Sequence, residues 1–402
     1  MLEVNPAPTT TGGTAVDAAA HRNSRSEASS LMPEGSKSPR VLSIDALRGF
    51  DMFWIIGGDA LARSILGLVK QPWAESLAGQ WEHAEWEGFR FYDLIFPLFL
   101  FLVGCVLPYS MERYQGASFQ AYGRILRRVA LLFLLGLVNN GLLQFQWDNL
   151  RVAGVLQRIA ICYGVAAVIC LHFRVRAQVV ILLAILLGYW AIIAWVPAPG
   201  GVPGDTTQAG NLAGYLDRTY LPGKILEMYY GDGDNEGLLS TLPAVATALI
   251  GVLAGHWLRS SATQWGKVAG LALSGTLCVL LGLLWSNAFP IIKNIWTSSF
   301  VLVAGGCSLI LLAWFYALID CLGWRRSAFF WCVIGSNAIT IYVAQRFINF
   351  DYMAKFFFGG VMRLSDTYVL TGSDKIWLCF GILACKWVFL WMLYRQKLFL
   401  RV

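Results

Sequence analysis

The sequence predicts an all-α polytopic membrane protein with about ten transmembrane helices and both termini in the cytoplasm. Of its 402 residues, 57% are hydrophobic and only 14% are charged, whereas a soluble domain of this size carries about a quarter charged residues. Glycine (40 residues), phenylalanine (24) and tryptophan (17) are abundant, as is typical of membrane helices. Apolar runs of about 20 residues recur, each long enough to cross ~30 Å of hydrocarbon. This composition excludes disordered, collagen-like and disulfide-stapled proteins.

The chain divides into a polar N-terminal tail and a long apolar region. Residues 1–40 are rich in Ala, Ser, Thr, Gly and Pro and hold no apolar run, which predicts a disordered cytoplasmic tail rather than a signal peptide. Residues 41–402 form the predicted membrane domain. Within it, the apolar stretch 353–363 is too short to span and indicates a re-entrant or surface segment. The ten predicted spans are 44–68, 89–111, 124–143, 152–172, 178–196, 238–258, 266–286, 296–319, 327–347 and 375–395.

The distribution of basic residues predicts the orientation. Arg124, Arg127 and Arg128 belong to one set of connections, together with both termini, whereas the opposite connections are acidic, for example at 82–87 and 232–236. The positive-inside rule places the basic set in the cytoplasm and the longest loop, about 197–237, outside. The net charge of +7 is therefore a topology signal, and we expect no nucleic-acid partner.

The first predicted span carries ionisable residues that a membrane normally excludes, which makes each a candidate for a site. Asp45, Arg48 and Asp51 recur every three residues and share one helical face at the cytoplasmic end. They form either a structural ladder of ion pairs or part of a binding site. Asp59 lies deeper, after a glycine pair whose flexible backbone could admit a ligand, although an ion pair with Arg63 one turn later explains it equally well.

His83 lies at the external membrane border among three glutamates. Because the unperturbed pKa of histidine lies near neutrality, His83 suits proton transfer or a transient acyl adduct. Taken alone, however, a histidine in a loop is more often an ordinary surface residue without a catalytic role. Asp93 enters the second span ten residues later, and it need not touch His83 if the intervening stretch is helical.

Arg158 lies about two turns into the fourth span, where an unpaired guanidinium group is strongly disfavoured. It requires an anion, which is either a carboxylate of the protein, such as Asp59 or Asp93, or a phosphate of a ligand. Lys293 and Asn294 begin the eighth span on the outer side. Lys293 could equally extend its ammonium group to the membrane interface without any further role.

Several familiar chemistries are excluded. The nine cysteines include no C-x-x-C pair, and the chain has no P-loop, no H-E-x-x-H and no nucleotide-binding glycine fingerprint. We therefore expect buried free thiols, no metal, and a reactive group that a ligand brings in. The G-x-x-x-G spacings at 251–255 and 266–270 indicate close helix packing.

Six segments form a pattern that is distinctive when they are taken in order. They are SIDALRGF (43–50), HAEWEG with DLIFP (83–97), GVLQRIA (154–160), EGLLSTLP (236–243), KNIWTSSF (293–300) and, more loosely, GSNAITIY (335–342). The chain resembles the transmembrane acyltransferases related to heparan-α-glucosaminide N-acetyltransferase, which include many bacterial members. The resemblance runs from about residue 41 to the C-terminus and indicates that 41–402 is a transmembrane acyltransferase domain of a bacterial relative.

The resemblance implies an acetyl-CoA-dependent acyltransferase. Family members take the acetyl group of cytoplasmic acetyl-CoA and place it on a glucosamine amine on the far side of the membrane. The active histidine of the family corresponds to His83, which the charge pattern independently places outside. Where the animal enzymes have an asparagine near the end of the corresponding span, this chain has Asp59. The family's usual Asp-Pro-Glu-Gly is Asp-Asn-Glu-Gly at 234–237.

The resemblance and the positions of the residues together predict their roles. His83 would deprotonate the attacking amine or accept the acetyl group first, with Asp59 and Asp93 as further catalytic residues. The residues expected to bind acetyl-CoA are Arg48, Arg124, Arg127, Arg128, Gln157 and Arg158. The residues expected to bind the glycan or amino-sugar acceptor are Glu236, Lys293 and Asn294.

A transporter or flippase for a sugar or lipid-linked intermediate is the competing function, since ten spans, glycine-rich helices and buried charges suit it equally. The motif match and the lack of a recognised inverted repeat count against it. A structural subunit would leave the embedded Asp59 and Arg158 unexplained. The acceptor stays open among a cell-wall amino sugar, a glycosaminoglycan fragment and a glycan hydroxyl. We expect a protein of the bacterial inner membrane, whose glycine-rich faces allow a homodimer without requiring one.

Overall fold

The computed structural model describes residues 41–112, 114, 118–226 and 231–399; the tail predicted at 1–40 lies outside the described residues. In the described part the secondary structure is helical, and β-structure is limited to two isolated bridges, Glu87 with Ile292 and Arg151 with Gly223. The predicted all-α class is therefore confirmed. The helices are α1 Leu42–Phe53, α2 Asp59–Leu66, α3 Pro72–Ala78, α4 Ile95–Cys105, α5 Leu107–Met111, α6 Phe119–Asn139, α7 Val155–His172, α8 Val175–Trp195, α9 Leu212–Tyr220, α10 Thr241–Arg259, α11 Gln264–Trp285, α12 Ser298–Tyr316, α13 Arg325–Ser336, α14 Ala338–Phe347, α15 Phe350–Tyr368 and α16 Asp374–Arg395.

Seven helical segments of the described residues are long and apolar enough to cross a membrane, which makes the chain an integral membrane protein. The pair α13 and α14, bent by 57°, makes an eighth if the two helices form one span. The other two predicted spans, 44–68 and 124–143, are also largely helical, as α1–α2 and α6, but both carry several charges. The number of spans therefore stays a prediction. The seven segments are Phe91–Met111, Val155–His172, Val175–Trp195, Thr241–Arg259, Gln264–Trp285, Ser298–Cys321 and Asp374–Arg395.

The apolar stretch at 353–363 is the middle of a longer helix. α15 has 19 residues and packs along α16. Its length is hidden in the sequence because charged residues such as Asp351 and Lys355 interrupt the apolar run. One face of α15 is exposed, including Phe356 and Phe357 at 73% and 66%. The stretch 353–363 is therefore part of a 19-residue helix with an exposed apolar face, and not a short separate segment.

Glycines bring α10 and α4 into close contact. A Cβ at Gly251 would meet the carbonyl oxygen of Phe101 at 1.9 Å, and a Cβ at Gly255 would meet the carbonyl oxygen of Cys105 at 2.3 Å. Only glycine allows the two backbones to approach this closely. The glycine spacing at 251–255 thus marks a helix contact, as the sequence predicts.

We expect Gly251→Ala to destabilise the fold by about 2 kcal/mol or more, because the new methyl group would clash with a backbone carbonyl that cannot rotate away. The midpoint of thermal unfolding of the purified protein in detergent measures this loss. Gly359→Ala is the matched control, since a Cβ at Gly359 meets nothing within 4 Å and alanine favours a helix. Equal midpoints for the two variants would contradict the packing of α10 on α4.

The first span is broken near its centre. Gly57 has φ 128°, in the left-handed region that favours glycine. It belongs to a π turn, Trp54–Gly58, that joins α1 to α2, and such turns are frequent at functional sites. Lys386 of α16 donates a hydrogen bond to the Ile56 carbonyl at 2.7 Å. The break therefore brings a cation of a distant helix into contact with the backbone of the first span.

Candidate active site

A cavity of about 240 Å³ lies among the first span, α4, α7, α14 and the connections that precede α10 and α12. Its lining is mostly apolar, as is usual for sites that bind small molecules. Three residues selected from the sequence, His83, Glu236 and Lys293, line it. The other polar lining residues are Tyr92, Arg151, Asn235 and Tyr342, and the apolar lining comprises Met52, Ile55, Ile95, Phe96, Phe99, Val155, Leu156, Ile159, Leu226, Trp296 and Ile339.

His83 lies between a carboxylate and an ammonium group. Its Nδ1 is 2.8 Å from Oδ1 of Asp93 and 2.8 Å from Nζ of Lys293. The Lys293 ammonium group also lies 3.3 Å from Oδ1 of Asp93 and 3.3 Å from Nε2 of His83. The partner of Nδ1 depends on the tautomer: an unprotonated Nδ1 accepts from Lys293, whereas a protonated Nδ1 donates to Asp93 and leaves Nε2 as the basic ring nitrogen.

The contact between His83 and Asp93 arises because the chain between them is not helical. Residues 83–90 run as bends and coil, and a short 3₁₀ helix begins at Phe91. Gly88, at φ 120°, donates its backbone N–H to the Ile291 carbonyl at 2.8 Å. This pairing of two distant loops also brings Lys293 next to His83, 210 residues away along the chain.

The Asp93 carboxylate is almost wholly buried, with its side chain 1% exposed. Its second oxygen, Oδ2, accepts backbone hydrogen bonds from Ala84 at 3.2 Å and Arg90 at 3.1 Å. Arg90 in turn donates through Nη1 to the His83 carbonyl at 3.0 Å. These bonds compensate the burial of the charge and hold His83 in place. Burial lowers the pKa of Lys293, and the nearby Asp93 carboxylate opposes that shift.

A second charged network lines the cavity around Arg151. Its guanidinium group binds Asp234 through two parallel hydrogen bonds, at 2.8 and 2.5 Å, and also donates to the carboxylate of Glu236. Burial alone would raise the pKa of Asp234, but the hydrogen bonds and charge of Arg151 outweigh burial and lower it. Because bidentate pairs of this kind fix geometry strongly, the network holds residues 234–236 against the cavity.

Asn235, between the two acids, faces the cavity with an unused acceptor. Its side-chain oxygen is buried and has no hydrogen-bond partner among the described residues. Buried polar atoms in native proteins nearly always have a partner. A donor on a bound ligand, such as a hydroxyl or an amine, would satisfy this oxygen.

Arg158 is buried behind the cavity, and its side chain has no carboxylate within 4 Å in the part of the chain that the structure describes. One guanidinium nitrogen donates to the Ser240 hydroxyl at 2.5 Å and to the Gly237 carbonyl at 3.3 Å. The group lies 5.0 Å from the ring centre of Trp296, which lines the cavity. Its Nε and Nη1 atoms are buried without a partner. The anion that the sequence predicts for Arg158 is therefore neither Asp59 nor Asp93.

Three other predicted site residues lie outside the cavity lining. Asp59 pairs with Arg63 at 2.8 Å, one turn along the same helix. The Gln157 side chain packs against Gly136 of α6 and against Gly154, which directly precedes α7. Asn294 is 7% exposed, next to Lys293 but not in the lining. Of the predicted residues, the structure thus brings together His83, Asp93, Lys293 and Glu236.

The four arginines expected to bind the phosphates of CoA lie on α1 and α6, and none lines this cavity. Arg48 is 3.4 Å from Asp45 and lies within electrostatic reach of Asp51 and Arg128. The Arg128 guanidinium group stacks on the ring of Tyr163 at 4.4 Å, whereas Arg124 and Arg127 are exposed. Asp51 is fully buried, and both of its oxygens lack a hydrogen-bond partner among the described residues.

Sequence reasoning missed Arg151, Asn235 and Tyr92 as lining residues. A usable signal exists for Arg151, because it directly precedes the fourth span, and the longest outer loop contains the acidic pair Asp234 and Glu236. A cation at an outer membrane border beside an acidic loop favours a salt bridge. No comparable signal marks Tyr92, whose role as a lining residue depends on the coil before it.

Two known proteins are similar to the chain over most of its length. Heparan-alpha-glucosaminide N-acetyltransferase of Homo sapiens is 27% identical over 424 residues, an alignment that covers 90% of this chain and 60% of the human protein. The mouse protein of the same name is 28% identical over 380 residues, covering 80% of this chain and 56% of the mouse protein. The chain is similar to heparan-α-glucosaminide N-acetyltransferase over most of its length. The predicted family resemblance is thereby confirmed.

The similarity to heparan-α-glucosaminide N-acetyltransferase covers only part of those proteins. The chain spans about three fifths of the length of the human protein and somewhat less of the mouse protein. No family model matches the chain. The name heparan-α-glucosaminide N-acetyltransferase describes the activity of those two proteins.

Proposed function

We propose that this chain is a transmembrane N-acetyltransferase that moves the acetyl group of cytoplasmic acetyl-CoA to the amine of a glucosamine-type sugar on the extracytoplasmic side. The observation that carries the proposal is the contact of His83 with Asp93 and Lys293 beside an apolar cavity. The similarity to the human and mouse N-acetyltransferases supports the reaction class.

His83 is the proposed base. With Nδ1–H donated to Asp93, Nε2 takes a proton from the attacking amine as the new C–N bond forms at the thioester carbonyl. The tetrahedral intermediate then breaks its C–S bond, and CoA leaves as a thiolate that takes up the proton from His83. The Lys293 ammonium group would stabilise the negative charge that develops on the carbonyl oxygen. In the alternative order, His83 accepts the acetyl group first and passes it to the amine.

The donor would extend from this cavity towards the cytoplasmic end of the bundle. The apolar lining suits the acetyl thioester and the end of the pantetheine arm. Arg158 supports the donor site because two of its buried nitrogens have no partner among the described residues. The other proposed contacts of acetyl-CoA are Arg48, Arg124, Arg127, Arg128 and Gln157.

The acceptor would meet the donor beside His83. Glu236 and Asn235 line the cavity, and their oxygens would accept hydrogen bonds from the amine and hydroxyl groups of the sugar. Lys293 and its neighbour Asn294 complete the proposed acceptor contacts. Asp59, which pairs with Arg63 outside the lining, is proposed as a positioning residue near the break of the first span.

The contacts between loops support the proposed orientation. The loops predicted to be outside bind one another, as in the pairing of Gly88 with Ile291 and of Arg151 with Asp234. Two connections predicted to be cytoplasmic are likewise joined, by an ion pair between Arg259 and Glu112. We therefore propose that His83 faces the extracytoplasmic side of the bacterial inner membrane, with the lipid bilayer around the helices.

A transporter for a sugar or lipid-linked intermediate is the second candidate, and two features favour it. The first span is broken at Gly57, and α13 and α14 are bent by 57°. Broken helices near buried charges are typical of transporter binding sites. A transporter, however, requires neither a base nor a coenzyme A thioester.

The test uses purified protein, acetyl-CoA labelled in the acetyl group, and glucosamine, methyl glucosaminide and a glucosamine-terminated disaccharide as acceptors. We expect labelled N-acetyl product and stoichiometric release of free CoA. Uptake of sugar by vesicles, with neither binding of acetyl-CoA nor product, would favour the transporter. Transfer to hydroxyl groups alone would change the proposed reaction from N-acetylation to O-acetylation.

A further inference from the structure

A groove of about 660 Å³ lies between α15, the start of α16 and the residues that follow α2. This outer groove shares no lining residue with the candidate active site. Eight of its ten lining residues are aliphatic or aromatic, and the other two are Ser365 and Ser373. The two serine hydroxyl oxygens lie 2.5 Å apart and form a hydrogen bond with each other. The groove therefore offers an apolar surface on which the serine hydroxyls are already used.

The turn between α15 and α16 holds the groove in shape. Gly372 has φ 90°, and its backbone N–H donates to Oδ1 of Asp366 at 2.6 Å. A Cβ at Gly372 would lie 3.4 Å from a methyl carbon of Leu68. The turn thus packs against the residue that follows the first span, and the groove is a fixed feature of three chain segments.

The groove opens towards the surroundings of the helix bundle at the predicted outer side. Leu364, Tyr368 and Val369 line it and are 60%, 81% and 80% exposed. The first span and α15 both end here, and α16 begins here. Because the ends of membrane helices lie where the hydrocarbon meets the headgroups, the exposed lining faces both regions of a lipid.

Three exposed cations flank the lining residues. Lys70, Arg363 and Lys375 form no ion pair within 4 Å with any residue that the structure describes. Two acids are also near in the chain. Asp366 already accepts the hydrogen bond of the turn, and Asp374 lies in the first turn of α16, where the helix N-terminus stabilises a carboxylate. The rim is therefore favourable for an anionic group.

We propose that the outer groove binds one phospholipid, with an acyl chain along the apolar lining and the phosphate at Lys70, Arg363 and Lys375. A phospholipid carries both parts in one molecule, and basic sites between membrane helices bind lipid headgroups. A sugar would require hydrogen-bonding groups that this lining lacks. Contact on several sides distinguishes this lipid from those that surround the convex faces of the bundle.

The test counts the phospholipids that stay bound when the protein is purified in a mild detergent and analysed by native mass spectrometry. We expect one bound phospholipid per chain in the wild type. Leu364→Trp should lose it, because the larger side chain fills the groove. Leu284→Trp is the matched control: Leu284 is 68% exposed near the end of α11 and does not line the groove. Equal midpoints of thermal unfolding for these two variants would show that Leu364→Trp is folded.

A second comparison tests the cations. The delipidated wild type should bind phosphatidylglycerol about tenfold more tightly than a diacylglycerol with the same chains, the difference that one charge-assisted hydrogen bond produces. The double variant Lys70→Gln, Lys375→Gln should bind the two lipids equally. Lys355→Gln removes a lysine of α15 that does not line the groove and pairs with Asp351, and it should keep the preference.

Three outcomes would overturn the proposal. The first is a wild type that retains no phospholipid, or retains detergent alone. The second is a folded Leu364→Trp variant that retains as much phospholipid as Leu284→Trp. The third is a lipid-free wild-type dimer that Leu364→Trp dissociates, which would make the groove a contact between two copies of the chain. Equal binding of phosphatidylglycerol and diacylglycerol by the wild type would refute the assigned phosphate contacts.

Discussion

Replacing His83 with alanine is expected to lower kcat for acetyl transfer at least about a thousandfold, the range that loss of a general base or acyl carrier produces. His83 contacts both Asp93 and Lys293 within 2.8 Å, and it is the one histidine of the described residues that lines the cavity. Initial rates with labelled acetyl-CoA measure the effect. Binding of acetyl-CoA should persist, because four of its proposed contacts, Arg48, Arg124, Arg127 and Arg128, lie on α1 and α6.

The control for this prediction is His172→Ala. His172 also forms a hydrogen bond, to the Tyr122 hydroxyl at 2.6 Å, but it ends α7 on the predicted cytoplasmic side. The His172→Ala variant should keep kcat within about twofold of the wild type, as expected for a substitution at an exposed position. Asp93→Asn should give an intermediate loss, because the base remains while its orienting carboxylate is gone. Full activity of a folded His83→Ala variant would refute the assigned base.

Arg151→Ala is expected to cause the largest loss of stability, about 3–5 kcal/mol, which is the usual effect of removing one partner from a buried ion pair. The variant would leave Asp234 fully buried without its cation, next to Glu236. Residues 234–236 would then lose their attachment to the start of α7. The midpoint of unfolding in detergent measures this change, and the acceptor KM should rise with it.

Arg63→Ala removes an arginine from a more exposed pair and serves as the comparison. The side chain of Arg63 is 41% exposed and pairs with Asp59, one turn away. Pairs of this kind contribute about 0–1 kcal/mol. If Arg151→Ala were no more destabilising than Arg63→Ala, the network around Asp234 would not hold the outer loop as described.

The helices could be predicted from the sequence because each long apolar run has one stable conformation in a membrane. An α-helix satisfies every backbone group without water, so length and hydropathy identify it. The same criterion underestimates the length of α15, because it counts only uninterrupted apolar residues. Charges such as Asp351 and Lys355 shorten its apolar run without ending the helix.

Only part of the site could be predicted from the sequence. The outer position of His83 follows from the charge pattern, but its contact with Asp93 depends on a coil stabilised by the Gly88–Ile291 bond. That bond joins loops about 200 residues apart, and no local pattern encodes it. Lys386 was missed because an isolated lysine within an apolar run has no visible partner. Its hydrogen bond to Ile56 exists only because the first span breaks at Gly57.

The most direct measurement uses sealed vesicles that contain the purified protein in known orientation. Labelled acetyl-CoA is supplied only on the side of the predicted cytoplasmic termini, and a membrane-impermeant glucosamine acceptor only on the opposite side. We expect labelled N-acetylglucosamine product in the compartment of the acceptor with the wild type, and none with His83→Ala. Product that forms only when donor and acceptor share one compartment, or equally in the variant, would contradict transfer through the bundle at His83.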